Sequence, residues 1–313
     1  MNRAPLMYWG RAQAGPAPKA CLITNPAAGP AQEKPDWRVI AGILREAGWW
    51  VAREETDGPG SAGEAAARGV ADGCRLVVVA GGDGTINEAV QSLVGSEAVL
   101  GIIPVGTANV LARELRIPLD AVEAARVLTM GHPRSIDLGL ITVPGERPRY
   151  FCEMVGVGFD AALMHGILPE MKQVLGKGAY VISAVSTSFT HRPVRMRLAI
   201  DGKRASRLVY MFIIANTALY GDDFLKITPD ASVDDGLLTC TLFRSHSFWK
   251  AWWHFLGVAL GRAHEMSDIE RFDCRRLEIR GGQKAPIQVD GDLSGTTPAV
   301  IEVVPRALRV MVL

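Results

Sequence analysis

Five consecutive residues carry the strongest chemical signal in the chain: Gly81-Gly82-Asp83-Gly84-Thr85, set directly after the apolar run Leu76–Ala80 and before a helical pattern. Glycines at a strand-to-helix turn let backbone N–H groups approach phosphate oxygens, and the helix N-terminus adds partial positive charge. Asp83 narrows the chemistry. A carboxylate repels a phosphate unless it holds a metal or takes a proton, so a phosphate site that contains one suggests Mg-nucleotide chemistry. The same residues also fit a plain glycine-rich βα turn with Asp83 capping the helix. A second polar turn, Pro104-Val105-Gly106-Thr107-Ala108-Asn109, ends the next apolar run, Val99–Ile103. Two such turns at the carboxyl ends of neighbouring parallel strands place Thr85, Thr107 and Asn109 in one crevice, where open α/β sheets bind ligands. Asn25, in the turn NPAAG, and Thr56, after the second strand, fall at the same edge; Thr56 alone reads equally as an ordinary loop residue.

The elements that must position these turns alternate along the first half. Ala20–Thr24 reads as a strand, Asp36–Ala47 as a helix with Trp37, Ile40, Ile43 and Leu44 on one face, and Trp49–Ala52 as a strand. Ser61-x-x-Glu64 reads as a capping box opening a helix that ends near Gly73. Leu76–Ala80 is a fully apolar strand, followed by a helix through Leu93. Val99–Ile103 is another, followed by a helix from about Val110 to Leu115. This rhythm predicts an N-terminal open parallel-sheet nucleotide-binding domain of α/β class. After GHPRS the pattern becomes hairpin-like: Ser135–Val143, Arg195–Ile200 with the turn Asp201-Gly202-Lys203, then Arg207–Asn216 as a strand. A C-terminal β-rich, sandwich-like domain follows, with helical insertions near 161–190 and 246–262. The predicted organisation is a flexible segment 1–18, an α/β domain 19–134 and a β-rich domain 135–313.

The 313 residues suit two domains. Hydrophobic residues make up 48% and charged residues 21%, which excludes a disordered chain, and the net charge of +1 points to no nucleic-acid partner. Cys21, Cys74, Cys152, Cys240 and Cys274 are odd in number and lie mostly in apolar runs, the pattern of reduced core thiols in a cytoplasmic protein. The N-terminus lacks the apolar stretch of a signal peptide, and no segment supplies the roughly 18 apolar residues of a membrane span.

GGDGTINEAV, with NPAAG before it and PVGTANVLARELRIP after it, resembles the diacylglycerol kinase catalytic superfamily, in its bacterial lipid-kinase branch related to sphingosine kinases. The resemblance continues through VGVGFDA at 155–161, ANTALYGDDFLKITPDASVDDGLL at 215–238 and VDGD at 289–292. It implies an ATP-dependent kinase that moves the γ-phosphoryl group to a hydroxyl of a diacylglycerol-like or sphingoid lipid, with ATP and Mg²⁺ as cofactors and the ATP site in an interdomain cleft. It also implies that Asn25, Thr56, Gly81, Gly82, Asp83, Gly84, Thr85, Asn87 and Thr107 line the nucleotide site. The resemblance makes the Asp235 carboxylate, with the carbonyls of Ser232 and Leu237, a structural Mg²⁺ site; Asp234-Asp235-Gly236 alone reads as a hairpin turn. Two departures stand out. The family's Asp-Gly-Glu is Asp290-Gly291-Asp292 here, which shortens the implied proton acceptor by one methylene, and Val110 replaces an acidic residue after GTAN. Asp292 and Asp83 are the two candidates for the base, with Asp292 preferred and Asp83 then organising metal and phosphate.

A NAD-kinase-like enzyme shares the GGDGT turn, and a non-catalytic lipid or nucleotide sensor accommodates the Glu-to-Asp change; both stay open as alternatives. The stretch 246–255 puts Trp249, Trp252 and Trp253 on one helical face with Lys250 and His254 on another. Such a face suits either core packing or peripheral contact with the inner membrane surface of a cytoplasmic protein.

Overall fold

A computed structural model describes residues 16–29, 34–159, 161, 192–219, 227–244 and 268–313. The expected helical insertions, and with them Trp249, Trp252 and Trp253, lie outside the described residues, as does most of the segment 1–18. Two compact units emerge, one running to Ile136 and including Arg306–Leu313, the other Asp137–Pro305.

The first unit alternates β1 (Lys19–Thr24), α1 (Trp37–Glu46), β2 (Trp50–Glu55), α2 (Ser61–Ala71), β3 (Leu76–Gly81), α3 (Asp83–Leu93), β4 (Val99–Pro104), α4 (Val110–Glu114) and α5 (Ala121–Met130). The strands pair in parallel in the order β2-β1-β3-β4. The last strand of the chain, β16 (Ala299–Val312), joins β4 in parallel through Val310 and Leu100. Every residue of β3 and β4 is buried, as a strand covered on both faces requires. Right-handed crossovers dictate the covering. The chain leaves β1 toward β2 but returns across β1 to β3, so α1 lies on one face and α2 and α3 on the other. The packing agrees: α1 lies against α5, and α2 against α3. The strand order therefore reverses between β1 and β3, which opens a crevice where their following turns diverge.

The capping box expected at Ser61 does not form. The N-cap is Gly60, with φ +85°, and the Ser61 hydroxyl instead accepts from the N–H groups of Asp57 and Gly58. Ser61 is thus spent on the turn before the helix, and Glu64 faces Arg68 one turn on, at 3.8 Å.

The second unit is antiparallel. It contains β5 (His132–Thr142, shared with the first unit), β6 (Arg149–Phe151), β7 (Met154–Gly158), β8 (Val194–Ile200), β9 (Lys203–Val209), β10 (Met211–Ala215), β11 (Leu238–Phe243), β12 (Ile269–Cys274), β13 (Arg276–Gly282), β14 (Pro286–Val289) and β15 (Asp292–Thr296). One sheet runs β12-β11-β10-β7-β14-β15. In the other, β9, β8 and β13 lie in sequence beside the first part of β16. Val155, Phe212 and Leu238 of the first sheet share one core with Leu198, Ile279 and Ile301 of the second. That shared core is what makes a sandwich. Gly139 lies opposite Phe151 across β5 and β6, and a Cβ there would sit 1.8 Å from the ring. Removing it lets the fully buried ring lie over the strand, a burial that stabilises by about 2–3 kcal/mol. The turn Asp201-Gly202 between β8 and β9 has φ of +45° and +82°, the two positive angles that a tight hairpin needs.

The strand expected over Arg207–Asn216 is two strands. It breaks at Tyr210, and β9 pairs with β8 while β10 pairs with β7 and β11 in the other sheet. The apolar run Leu208–Ala215 gives no sign of such a corner, because it passes without a break from the end of β9 into β10, where Phe212–Ala215 are all buried. All five cysteines are buried free thiols.

Candidate active site

The crevice of the first unit is built by three turns that touch backbone to backbone. After β1 comes NPAAG, after β3 the GGDGT turn, after β4 PVGTAN. The Asn25 N–H donates to Ala80 O at 2.9 Å, and its side-chain amide donates to Thr85 Oγ1 at 2.8 Å, tying the first turn to the second across the point where strand order reverses. Val105 N–H donates to Gly81 O at 3.2 Å, tying the third to the second. Glycine is what permits this approach. A Cβ on Gly106 would lie 2.5 Å from Gly82 Cα, and one on Gly29, whose φ is +68°, would lie 2.1 Å from Val105 O.

The helix that starts in this cradle lacks a side-chain cap, as do α2 and α4 but not α1 and α5. Asp36 and Asp120 cap α1 and α5 by accepting from Arg38 N–H and from Val122 and Glu123 N–H. At α3 the N-cap is Gly82 and no side chain caps the helix. A helix N-terminus set among glycine turns carries partial positive charge, which favours an anion such as phosphate. Asp83 is the first residue of α3 and is half-buried, so it occupies the first turn without capping it.

The other residues expected at the nucleotide site divide by place. Thr107 is exposed at the tip of its turn. Thr56 is buried at the end of β2, where its N–H donates to Thr24 O at 2.9 Å. Asn87 is buried within α3, where its side-chain oxygen accepts from Gln91 at 3.2 Å. Asn109, expected to face the crevice, is instead a brace. Its φ is +51°, and its amide accepts from Gly106 N–H and donates to Gly106 O, at 2.9 and 2.8 Å. Val110, where the sequence departs from the acidic pattern, is buried.

In the second unit, Asp292 starts β15 with its side chain 62% exposed, and Arg149 donates to its Oδ2 at 2.7 Å. The turn that presents it is pinned by Asp290, which sequence reasoning did not single out. Asp290 Oδ2 accepts from Cys152 N–H at 2.8 Å, and Oδ1 from Glu153 and Met154 N–H at 3.0 and 2.9 Å. Its φ is +46°. Desolvation pushes its carboxyl up to about 6, against the pull of those three N–H groups. Asn216, fully buried, donates to the carbonyls of Asp137 and Cys152, both at 3.0 Å. Its place in the motif ANTALYGDDF was the only trace in sequence.

The loop 230–238 gathers negative charge. Asp235 accepts from Leu237 N–H at 2.9 Å, Ser232 donates to Asp234 at 2.9 Å, and buried Asp137 accepts from Gly236 N–H at 2.6 Å. Partial desolvation, then the charges of Asp137 and Asp273, push the Asp235 carboxyl up. Among the described residues no group of three or more His, Cys, Asp or Glu side chains forms a cation cage. A carboxylate in the negative field of its neighbours is a hard oxygen donor of the kind that suits Mg²⁺.

Residues 19–141 match the diacylglycerol kinase catalytic domain, and residues 153–312 match the YegS C-terminal NAD kinase beta sandwich-like domain. The chain is 32% identical over 252 residues to a diacylglycerol kinase of Mycobacterium tuberculosis, covering 78% of this chain and 79% of that one. It is 29% identical over 287 residues to a diacylglycerol kinase of Bacillus subtilis, covering 90% and 91%. A crystal structure of a diacylglycerol kinase from Bacillus anthracis superposes with a TM-score of 0.75 over 94% of this chain and 97% of that one, at 24% identity, and shows the same fold. A catalytic α/β domain followed by this sandwich is the make-up of a lipid kinase. The chain belongs to the diacylglycerol kinase family.

Proposed function

We propose that the protein transfers the γ-phosphoryl group of ATP to a hydroxyl of a diacylglycerol-like or sphingoid lipid. The observation that carries the nucleotide half is the three-turn glycine cradle at the N-terminus of α3. The amides of Gly82–Thr85 and the Thr107 hydroxyl bind phosphate oxygens in this reading, with Asn25 and Thr85 holding the turns in register. Asp83 organises the metal that accompanies the nucleotide. Asp235, with the carbonyls of Ser232 and Leu237, would hold a second Mg²⁺ at the acidic loop. Bound Mg²⁺ supplies charge neutralisation for the phosphates and for the acidic loop.

Asp292 acts as the base. Arg149 occupies Oδ2, so Oδ1 is the atom that takes the proton of the lipid hydroxyl. As the hydroxyl oxygen bonds to the γ-phosphorus, the bond from phosphorus to the β–γ bridging oxygen breaks and ADP leaves. Asp290 holds the turn that aims Asp292. The test is transfer from γ-radiolabelled ATP to a panel of diacylglycerol, phosphatidylglycerol, sphingosine and ceramide, with products separated by thin-layer chromatography. A labelled product from diacylglycerol or sphingosine supports the reading, and label in none of the four overturns it.

A further inference from the structure

The sandwich sheet that contains β8, β9 and β13 buries one face and turns the other outward. Val194, Met196 and Leu198 of β8 are buried, while the alternate Arg195 and Arg197 are exposed. Register sets the outer row: Arg195 opposite Leu208, Arg197 opposite Ser206 and Ala199 opposite Arg204 on β9, with Glu278 opposite Ala199 and Arg280 opposite Arg197 on β13. Arg276, two residues before Glu278, shares the same face. Five arginines therefore meet two glutamates, Glu278 and Glu302, on a chain whose net charge is +1. Glu278 is divided between Arg276 and Arg280, at 3.3 and 2.7 Å, and Glu302 is taken by Arg276. Among the described residues no ion pair or hydrogen bond reaches the side chains of Arg195, Arg197 or Arg204.

Like charges directly opposite across two strands destabilise a sheet, and Arg197 faces Arg280 in that way. Alternate residues on a strand lie about 6.7 Å apart and neighbouring strands about 4.8 Å apart, inside a Debye length of about 8 Å, so the repulsion is not screened away. Among the described residues, folding gains no ion pair from Arg195, Arg197 or Arg204. A stable sequence keeps such a conflict where something outside the fold supplies the countercharge.

We infer that this face docks on an anionic membrane surface. A sheet face matches a plane, the charge is complementary to anionic headgroups, and the choice of partner rests on the lipid-kinase reading, since the substrate lies in a bilayer. Nucleic acid fits less well. The outer residues of β8 and β9 include no aromatic side chain for base stacking, and the sequence pI is about 7.7.

The test is co-sedimentation with vesicles of phosphatidylglycerol mixed into phosphatidylcholine, and of phosphatidylcholine alone, for wild type, R195Q/R197Q/R204Q and R195K/R197K/R204K. Wild type and the lysine variant bind the anionic vesicles and are released by salt. The glutamine variant binds roughly 100-fold more weakly, at about fivefold per arginine, with an unchanged melting temperature. Equal sedimentation of the glutamine variant and wild type overturns the proposal. So does equal binding to phosphatidylcholine alone, or wild-type binding to a DNA oligonucleotide but not to vesicles. Turnover on a short-chain, soluble diacylglycerol is read in parallel and is expected to be equal in all three proteins. Absence of that turnover in the wild type, with vesicle binding intact, counts against the kinase reading and not against the docking face.

Discussion

Asp290→Asn separates what Asp290 does as a charge from what it does as an acceptor. The wild-type carboxyl rises from 3.8 to about 6 on folding. Because the folded value is the higher one, the native state binds more protons than the unfolded chain between about pH 4 and 6, and stability falls as pH rises through that window. The full rise of about two units corresponds to about 3 kcal/mol. Asp290 as a whole is only half-buried, so solvent screening reduces this to about 1–2 kcal/mol. Asparagine tolerates the positive φ and keeps Oδ1 for the N–H groups of Glu153 and Met154. Its NH₂ then meets the N–H of Cys152, donor against donor, which costs about 1–3 kcal/mol. The variant is therefore less stable than wild type near pH 4, and the gap closes by about 1–2 kcal/mol toward pH 8, the size of the lost titration. Urea unfolding at steps across that range measures it, and taking the difference between the two proteins cancels the other titrating groups. A gap of the same size at every pH would refute the assignment.

Gly106→Ala forces a methyl to within 2.5 Å of Gly82 Cα and 2.8 Å of Asn109 Oδ1. Overpacking of about 1–3 kcal/mol at the cradle should weaken binding of a fluorescent ATP analogue by about tenfold or more, and unchanged affinity would show that the turns do not shape the nucleotide site. Asp235→Ala should lower the melting temperature in Mg²⁺ but not in chelator, because a metal that binds only the folded state stabilises it. A wild-type melting temperature that ignores Mg²⁺ would make the loop only a turn. Asp292→Asn should reduce turnover on the order of hundred-fold with little change in nucleotide affinity, and wild-type turnover would remove Asp292 as the base.

The parallel half of the fold was legible because its signals are local. A fully apolar run such as Leu76–Ala80 can be buried only between two layers, and a glycine turn before a helix has few other uses. The reversal of strand order between β1 and β3 is what turns separate motifs into one crevice, and βα alternation alone does not fix that order. The sandwich was harder to read. Nothing local separates β9 from β10 at Tyr210, and the hydroxyl of Ser61 had two available uses that sequence cannot rank. Asp290 and Asn216 escaped for another reason. Each side chain makes its hydrogen bonds to backbone groups 64 or more positions away, and residues that pin distant backbone leave no spacing to detect.

The kinase reading is tested most directly by transfer of label from γ-radiolabelled ATP to diacylglycerol by wild type and Asp83→Asn, with circular dichroism of both. The glycine cradle needs no carboxylate for its shape, so the variant should keep its fold and lose on the order of hundred-fold or more in turnover. A folded Asp83→Asn protein that keeps most of its turnover would contradict a catalytic role for the carboxylate of the GGDGT turn.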